Sequence, residues 1–309
     1  MKAWIWRYWP ALLAVACCWL AYYQFNWNDI LPRLPLLPIG SLLLVMSVTT
    51  ILVFVCGALR WIAVSQLPWR LDVVGPVYCY VAFAQGISIV TPFQLGELVK
   101  IKFAQSAGLK MGSSAINVAS ERLLDVFTML AMGMAGLVYL QTGLAWFSTA
   151  TLLAIALMGL ATPQLLKLLV AWLGDRSFGR RLQPFSGPAL PLANLLTLGL
   201  LTFIKWGATL ASWLLIFHLV DVNLNVWQGC FLVGASTAIM LMSMVPGGIG
   251  VLEVSIRALL IGIGIDDLHA ETAAIALRLF TPVMLLIGLA HLPFLQKRAR
   301  PAESKNSRI

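Results

Sequence analysis

Three short stretches concentrate the few charges that this apolar chain carries inside its hydrophobic runs: TPFQLGELVK at 91–100, SERLLDVF at 120–127 and VPGGIGVLEVSIR at 245–257. The first holds Glu97 and Lys100, and the second Glu121, Arg122 and Asp125. The third sets Pro246, Gly247, Gly248 and Gly250 ahead of Glu253 and Arg257, while Lys205 and Arg278 stand in apolar surroundings of their own. Arginine offers a planar fork of donors that matches a phosphate bidentately. Carboxylates beside it can orient or neutralise it, or act as general bases. On a helix, Glu121 and Asp125 share a face and Arg122 can pair with Asp125 three residues on. An isolated charge at the centre of a bilayer costs about 2.5–3.5 kcal/mol, so these groups need partners. Two uses fit them. Either they form a structural ion-pair cluster, or Arg122 and Arg278 grip a phosphate with Glu97 and Glu253 tuning them. Lys205 either joins such a site or snorkels to an interface. Lys100, Lys102 and Lys110 either mark the cytoplasmic side or draw anionic headgroups to a cytoplasmic mouth.

The elements that must position these groups are transmembrane helices. Of 309 residues, 60% are hydrophobic and 11% charged, and the mean hydropathy is +0.89, outside the range of soluble domains. A helix spans the hydrocarbon core with about 20 apolar residues. Eight such segments can be placed, at about 9–25, 36–57, 73–90, 114–140, 146–172, 190–219, 227–245 and 272–295. The fold class predicted is therefore all-α, a polytopic membrane bundle, with a single transmembrane domain over 1–295 and a basic cytoplasmic tail over 296–309. The five cysteines, Cys17, Cys18, Cys56, Cys79 and Cys230, lack metal-ligand spacing, and His218, His269 and His291 lie far apart, so neither a metal nor a cofactor is expected. Lys2 and Arg7 before an apolar run resemble a signal peptide, but the run continues through Tyr22 and Tyr23 and reads as an uncleaved first helix. Trp4, Trp6, Tyr8, Trp9, Tyr22, Tyr23 and Trp27 read as interfacial belts.

Sixteen of the 21 basic residues fall into five clusters: Lys2 and Arg7; Arg60 and Arg70; Lys100, Lys102 and Lys110; Lys167, Arg176, Arg180 and Arg181; and Lys297 onward. The positive-inside rule places all five, and both termini, in the cytoplasm. Arg60 and Lys100 then lie on one side with a single apolar run between them, which requires 73–90 and TPFQLGE to enter and turn back as a re-entrant hairpin. The same arithmetic makes 227–245 and VPGGIGVLE a second hairpin, opening from the other side. Broken helices at membrane depth are tolerated only where protein or a watery cavity satisfies the freed backbone. The hairpins also match in spacing, since Glu97 to Arg122 and Glu253 to Arg278 are both 25 residues. This supports an inverted repeat, about 36–142 and 190–295, of the kind that binds substrate between transporter halves.

TPFQLGELVKIKF, SERLLDVF and VPGGIGVLE, in that order, resemble the signature stretches of the lysylphosphatidylglycerol synthase transmembrane-region family, which includes proteins described as dolichol-phosphate sugar synthetase-like. The resemblance implies movement of a polar lipid headgroup across a bacterial plasma (inner) membrane. Where the family often carries a basic residue before its Gly-Glu pair, this chain has Gln94. The aminoacyl-transferase domain of the bifunctional members is not expected here, since only QKRARPAESKNSRI follows Leu295. The expected function is translocation of a phosphate-bearing lipid, either an anionic phospholipid or a polyprenyl-phosphate-linked one, and not catalysis. The alternative is a membrane-embedded transferase using a polyprenyl-phosphate sugar donor, with Glu121 or Asp125 as base. A third possibility is a non-transporting subunit of an envelope-assembly complex. No GxxxxGK[ST] loop for ATP occurs. Expected partners are lipids with anionic or phosphate headgroups and envelope-biogenesis enzymes; nucleic acid is not expected.

Overall fold

The structure, a computed structural model, describes residues 12, 15–20, 22–106, 109–174 and 189–299. Among these the chain is all-helical. Its helices, in order, are α1 (Trp27–Ile30), α2 (Ile39–Ser65), α3 (Leu71–Ser88), α4 (Val99–Ser106), α5 (Met111–Thr142), α6 (Ala145–Gly174), α7 (Leu192–His218), α8 (Val226–Ser243), α9 (Val251–Gly262), α10 (Asp267–Arg278), α11 (Phe280–Leu289) and α12 (Leu292–Ala299). Six stretches are long and apolar enough to cross a membrane: α2, α5, α6 over its first 26 residues, α7, α8, and the run 267–295. They coincide with six of the eight segments read from sequence. The other two are the N-terminal run, of which residues 15–20 and 22–24 are helical, and 73–90, which falls within α3 and the turn that follows it. The basic residues Lys2, Arg7, Arg176, Arg180, Arg181, Arg300, Lys305 and Arg308 lie outside the described residues, as do Trp4, Trp6, Tyr8 and Trp9.

In lipid, apolar side chains gain little by packing on one another, so close approach of backbones decides which helices pair. Glycines mark those crossings. A Cβ at Gly86 of α3 would sit 2.6 Å from the Cα of Gly288 in α11, and Gly234 of α8 abuts the Gly133 backbone of α5 as tightly. Among the described residues the two larger of three apolar clusters result from such pairings. One joins α7, α8, α9 and α10 around Ile216, Leu232, Ile256 and Ala273. The other joins α2, α3 and α5 around Trp61, Val81 and Val118. The small third holds Val53, Phe54 and Ala82. The outward faces of α6 and α7, with Leu157, Leu168, Leu200 and Phe203, are apolar and exposed, as lipid requires.

Two breaks interrupt this regularity, at the two stretches singled out by their proline and glycine content. After α3 the chain makes a 3₁₀ turn over Pro92–Leu98, with Gln94 in the left-handed region at φ 56°. The Thr91 hydroxyl donates to the Ser88 carbonyl (3.0 Å) and accepts from the Gly96 N–H (2.9 Å), so the freed backbone groups are met internally. After α8 the pattern recurs: the Ser243 hydroxyl donates to the Met240 carbonyl (2.8 Å) and accepts from the Val245 N–H (3.3 Å). Met244, Gly247, Gly248 and Gly250 all take positive φ there. The two breaks touch, since a Cβ on Gly247 would lie 3.7 Å from the Ile89 carbonyl oxygen.

Candidate functional site: a cavity with buried charges beside two helix breaks

α5 supplies the carboxylates around which the site is built. Asp125 accepts four donors: Arg60 Nη1 of α2 (2.7 Å) and Trp206 Nε1 of α7 (3.0 Å) on Oδ1, Arg122 Nη2 (2.9 Å) and Lys205 Nζ of α7 (2.9 Å) on Oδ2. One turn earlier, Glu121 accepts from Lys100 Nζ (3.1 Å), which also pairs with Glu97 (2.5 Å) and lies 5.5 Å from the centre of the Trp61 ring. Arg122 reaches from α5 to the first break, donating to Gln94 Oε1 (2.5 Å) and lying 3.6 Å from Glu97. The helical spacing read from sequence accounts for this arrangement. Asp125 and Arg122, three apart, pair on one flank, while Glu121 and Asp125, four apart, face the helices that carry Lys100 and Arg60.

The structure differs from expectation at four basic residues. Lys100 is not at a cytoplasmic mouth; it is completely buried, because two carboxylates and an indole face enclose its ammonium, whereas Lys102 and Lys110 are exposed. Arg60 is 1% exposed, so it is no surface charge and cannot mark a membrane side. The topological argument for the first hairpin then rests on Arg70 and Lys102, both exposed. Lys167 is likewise buried, 3.4 Å from the Val64 carbonyl. Lys205 does not snorkel: from the middle of α7 it turns inward to Asp125.

Four members of the cluster, Glu97, Arg122, Asp125 and Lys205, line a cavity of about 730 Å³, together with Gln85 and Gln94. Met129, Trp213, Met240, Phe280 and Met284 are among its apolar lining side chains. Arg122 and Lys205 are the cluster's most accessible cations, their side chains 28% and 12% exposed against 1% for Arg60 and none for Lys100. Four cations face three carboxylates in this network, so it carries one surplus positive charge. Among the described residues no group of His, Cys, Asp and Glu could hold a metal ion.

The second break contributes a matching but separate pair. Arg278 donates to the Gly247 carbonyl (2.6 Å) and its Nε lies 3.2 Å from Glu253. Each arginine 25 residues after its glutamate thus reaches back to its own break, Arg122 to Gln94 and Glu97, Arg278 to Gly247 and Glu253. The correspondence stops at the next base. Arg257 turns away from Glu253 to pair with Glu271 (2.8 Å) and Asp267 (2.7 Å), and Glu271 also accepts from the Asn26 N–H (3.0 Å), tying α9 and α10 to the start of α1. Pro246, Gly247, Gly248 and Gly250 shape the break and do not line the cavity; Gly250 leaves room for the backbone of Cys17 and Cys18. Arg60, Gln85, Ser88 and Trp206 were missed from sequence. For Arg60 the available signal was the continuation of its apolar run through Trp61, Ile62, Ala63 and Val64.

Long apolar helices around a mostly apolar cavity that a few charged side chains enter define an integral membrane protein. Residues 8–288 match the family described as the lysylphosphatidylglycerol synthase TM region, and the chain belongs to that family. No curated protein and no solved structure gives a match.

Proposed function

We propose that the protein translocates a phosphate-bearing lipid across the bacterial inner membrane, with both termini in the cytoplasm and without covalent chemistry. The observation that carries this reading is the composition of the cavity: the cations Arg122 and Lys205 share its wall with apolar side chains such as Met240, Phe280 and Met284. A phosphate headgroup fits the first and an acyl or prenyl chain the second. Membership of a family named for the membrane region of a lipid synthase agrees with a lipid as ligand. The two breaks agree with alternating access, since they are irregular segments that touch and both contribute to the cavity wall, as broken helices do in transporters.

The transferase alternative is weaker on the geometry. Glu121 is buried against Lys100 and does not line the cavity, and Asp125, which does, already accepts four donors, so the one carboxylate of the two that a cavity ligand meets has no lone pair left for a proton. The direct test is reconstitution of the purified chain into vesicles holding fluorescently labelled anionic phospholipid or polyprenyl phosphate in the inner leaflet. Faster arrival of label at the outer leaflet than in protein-free vesicles, with no new covalent species by mass spectrometry, is the expected result. Rates equal to protein-free vesicles for every lipid tried would refute translocation, and a new lipid species would favour the transferase.

A further inference from the structure

We infer that Asp125 is a resident counter-ion that the lipid phosphate displaces from Arg122 and Lys205, and that the cavity selects a headgroup whose only charge is one phosphodiester anion. This deepens the translocation reading and rests on the cavity being the lipid's path. Asp125 has a fixed side and an exchangeable side. Its Oδ1 accepts from Arg60 (2.7 Å), which is 1% exposed, and from Trp206 (3.0 Å). Its Oδ2 accepts from Arg122 and Lys205, both at 2.9 Å, the two cations that reach the cavity. A single oxygen therefore holds two cations together that a phosphate, with two free oxygens, can hold separately. Arg122 Nε has no partner at all, and an ammonium has three donors to offer. When the phosphate takes these cations, Asp125 keeps Arg60 and Trp206, so the exchange strands no buried charge. When the phosphate leaves, Oδ2 recaptures them. The carboxylate thus limits affinity and makes release possible, which tight phosphate binding by free cations would not.

The charge class follows from the same network. Its four cations and three carboxylates leave one positive charge uncompensated. A phosphodiester carries one negative charge and neutralises the surplus. A phosphomonoester, at about −1.5 to −2 near pH 7, exceeds it. A headgroup that adds ammonium groups to its phosphodiester brings cations to a wall whose two most exposed charged groups, Arg122 and Lys205, are cationic. The preferred ligand is then a glycerol- or sugar-type phosphodiester lipid, ahead of zwitterionic, aminoacylated and phosphomonoester lipids.

Binding to the purified full-length chain in detergent tests this separately from transport. The probes are dihexanoyl phosphatidylglycerol, dihexanoyl phosphatidylcholine, dihexanoyl phosphatidate and glycerophosphoglycerol, which has the phosphodiester but no chains. Phosphatidylglycerol is expected to bind at least about tenfold more tightly than phosphatidylcholine, the scale of one charge-assisted hydrogen bond. Glycerophosphoglycerol should bind far more weakly; equal binding would assign the site to a soluble phosphodiester and overturn the lipid assignment. Asp125→Asn raises the surplus to two and should tighten phosphatidylglycerol and favour phosphatidate most. Lys205→Gln removes the surplus and should weaken both. The double variant Asp125→Asn, Lys205→Gln restores a surplus of one and should recover the phosphatidylglycerol preference, a rescue that a merely structural role for Asp125 does not give. Equal binding of phosphatidylcholine and phosphatidylglycerol to the unmutated chain, or weakening by Asp125→Asn alone, overturns the inference. If the Asp125 variants fail to fold, the lipid series on the unmutated chain and on Lys205→Gln decides it. Charge-selective binding without movement in vesicles would leave this inference standing and end the translocation reading; movement indifferent to headgroup charge would do the reverse.

Discussion

Asp125 and Arg60 show how one buried pair sets the tolerance of the whole site. Arg60 is enclosed, held by Asp125 and by the Glu121 carbonyl at 3.2 Å. Removing one partner of such a pair leaves the other charge buried and typically costs about 3–5 kcal/mol. Either loss leaves Asp125 with two other cations, but Arg60→Ala also empties a fully enclosed space and strips the Glu121 carbonyl of its donor, so it is expected to lower the melting temperature in detergent more than Arg122→Gln, whose side chain is 28% exposed. Equal losses from the two would contradict the division between supporting and gripping cations. The pairing of Arg122 with Asp125 was legible in sequence, because a three-residue spacing on a helix fixes it. The roles of Arg60 and Lys100 were not. A base near the end of an apolar run looks the same in sequence whether it faces headgroups or turns inward, and only the positions of α5 and α7 decide which.

At the scale of elements, the breaks after α3 and α8 depend on a hydroxyl that meets backbone groups which lipid would leave unsatisfied. Thr91→Val strands the Gly96 N–H, at a cost of about 1–3 kcal/mol for an unmet buried donor, and leaves the Ser88 carbonyl with the Thr91 N–H alone (3.2 Å), while Thr91→Ser keeps both hydroxyl bonds. Thermal unfolding should thus separate valine from serine at this position, and equal stability of the two would remove the hydroxyl from the account. The α3–α11 crossing is stricter. A leucine at Gly86 or Gly288 has no room, because backbone and not a flexible side chain stands 2.6 Å from the added Cβ. Either variant should fail to yield folded protein, as read by a monodisperse peak on size exclusion, whereas Gly207→Leu, with open space around it, should not. Proline and clustered glycines announced where the helices break, since those residues forbid or weaken regular helix. Threonine and serine at the breaks carried no such signal, being common on helices for other reasons.

For the whole molecule, the repeat is visible at two levels that differ in how far they extend. Spacing alone paired Glu97 with Arg122 and Glu253 with Arg278, and in the structure each arginine reaches back to its own break. The halves then diverge. The first places its arginine on the cavity with Lys205 and Asp125, and the second uses Arg257 with Glu271 and the Asn26 N–H to fasten α9 and α10 to α1. Sequence symmetry could not foresee this, because Glu271 lies outside the repeated motif and the contact to residue 26 spans most of the chain. Arg257→Gln is accordingly expected to reduce thermal stability while leaving translocation within about twofold of the unmutated rate, since no contact joins it to the cavity charges.

The central claim, that a phosphate-bearing lipid passes through the cavity and is held by its two accessible cations, is tested most directly by comparing transbilayer movement of labelled phosphatidylglycerol in vesicles containing the unmutated chain and its Arg122→Gln, Lys205→Gln double variant. Clear acceleration over protein-free vesicles by the first and loss of at least about tenfold by the second, with both folded and equally incorporated, is the expected result. Undiminished movement in the double variant would contradict it.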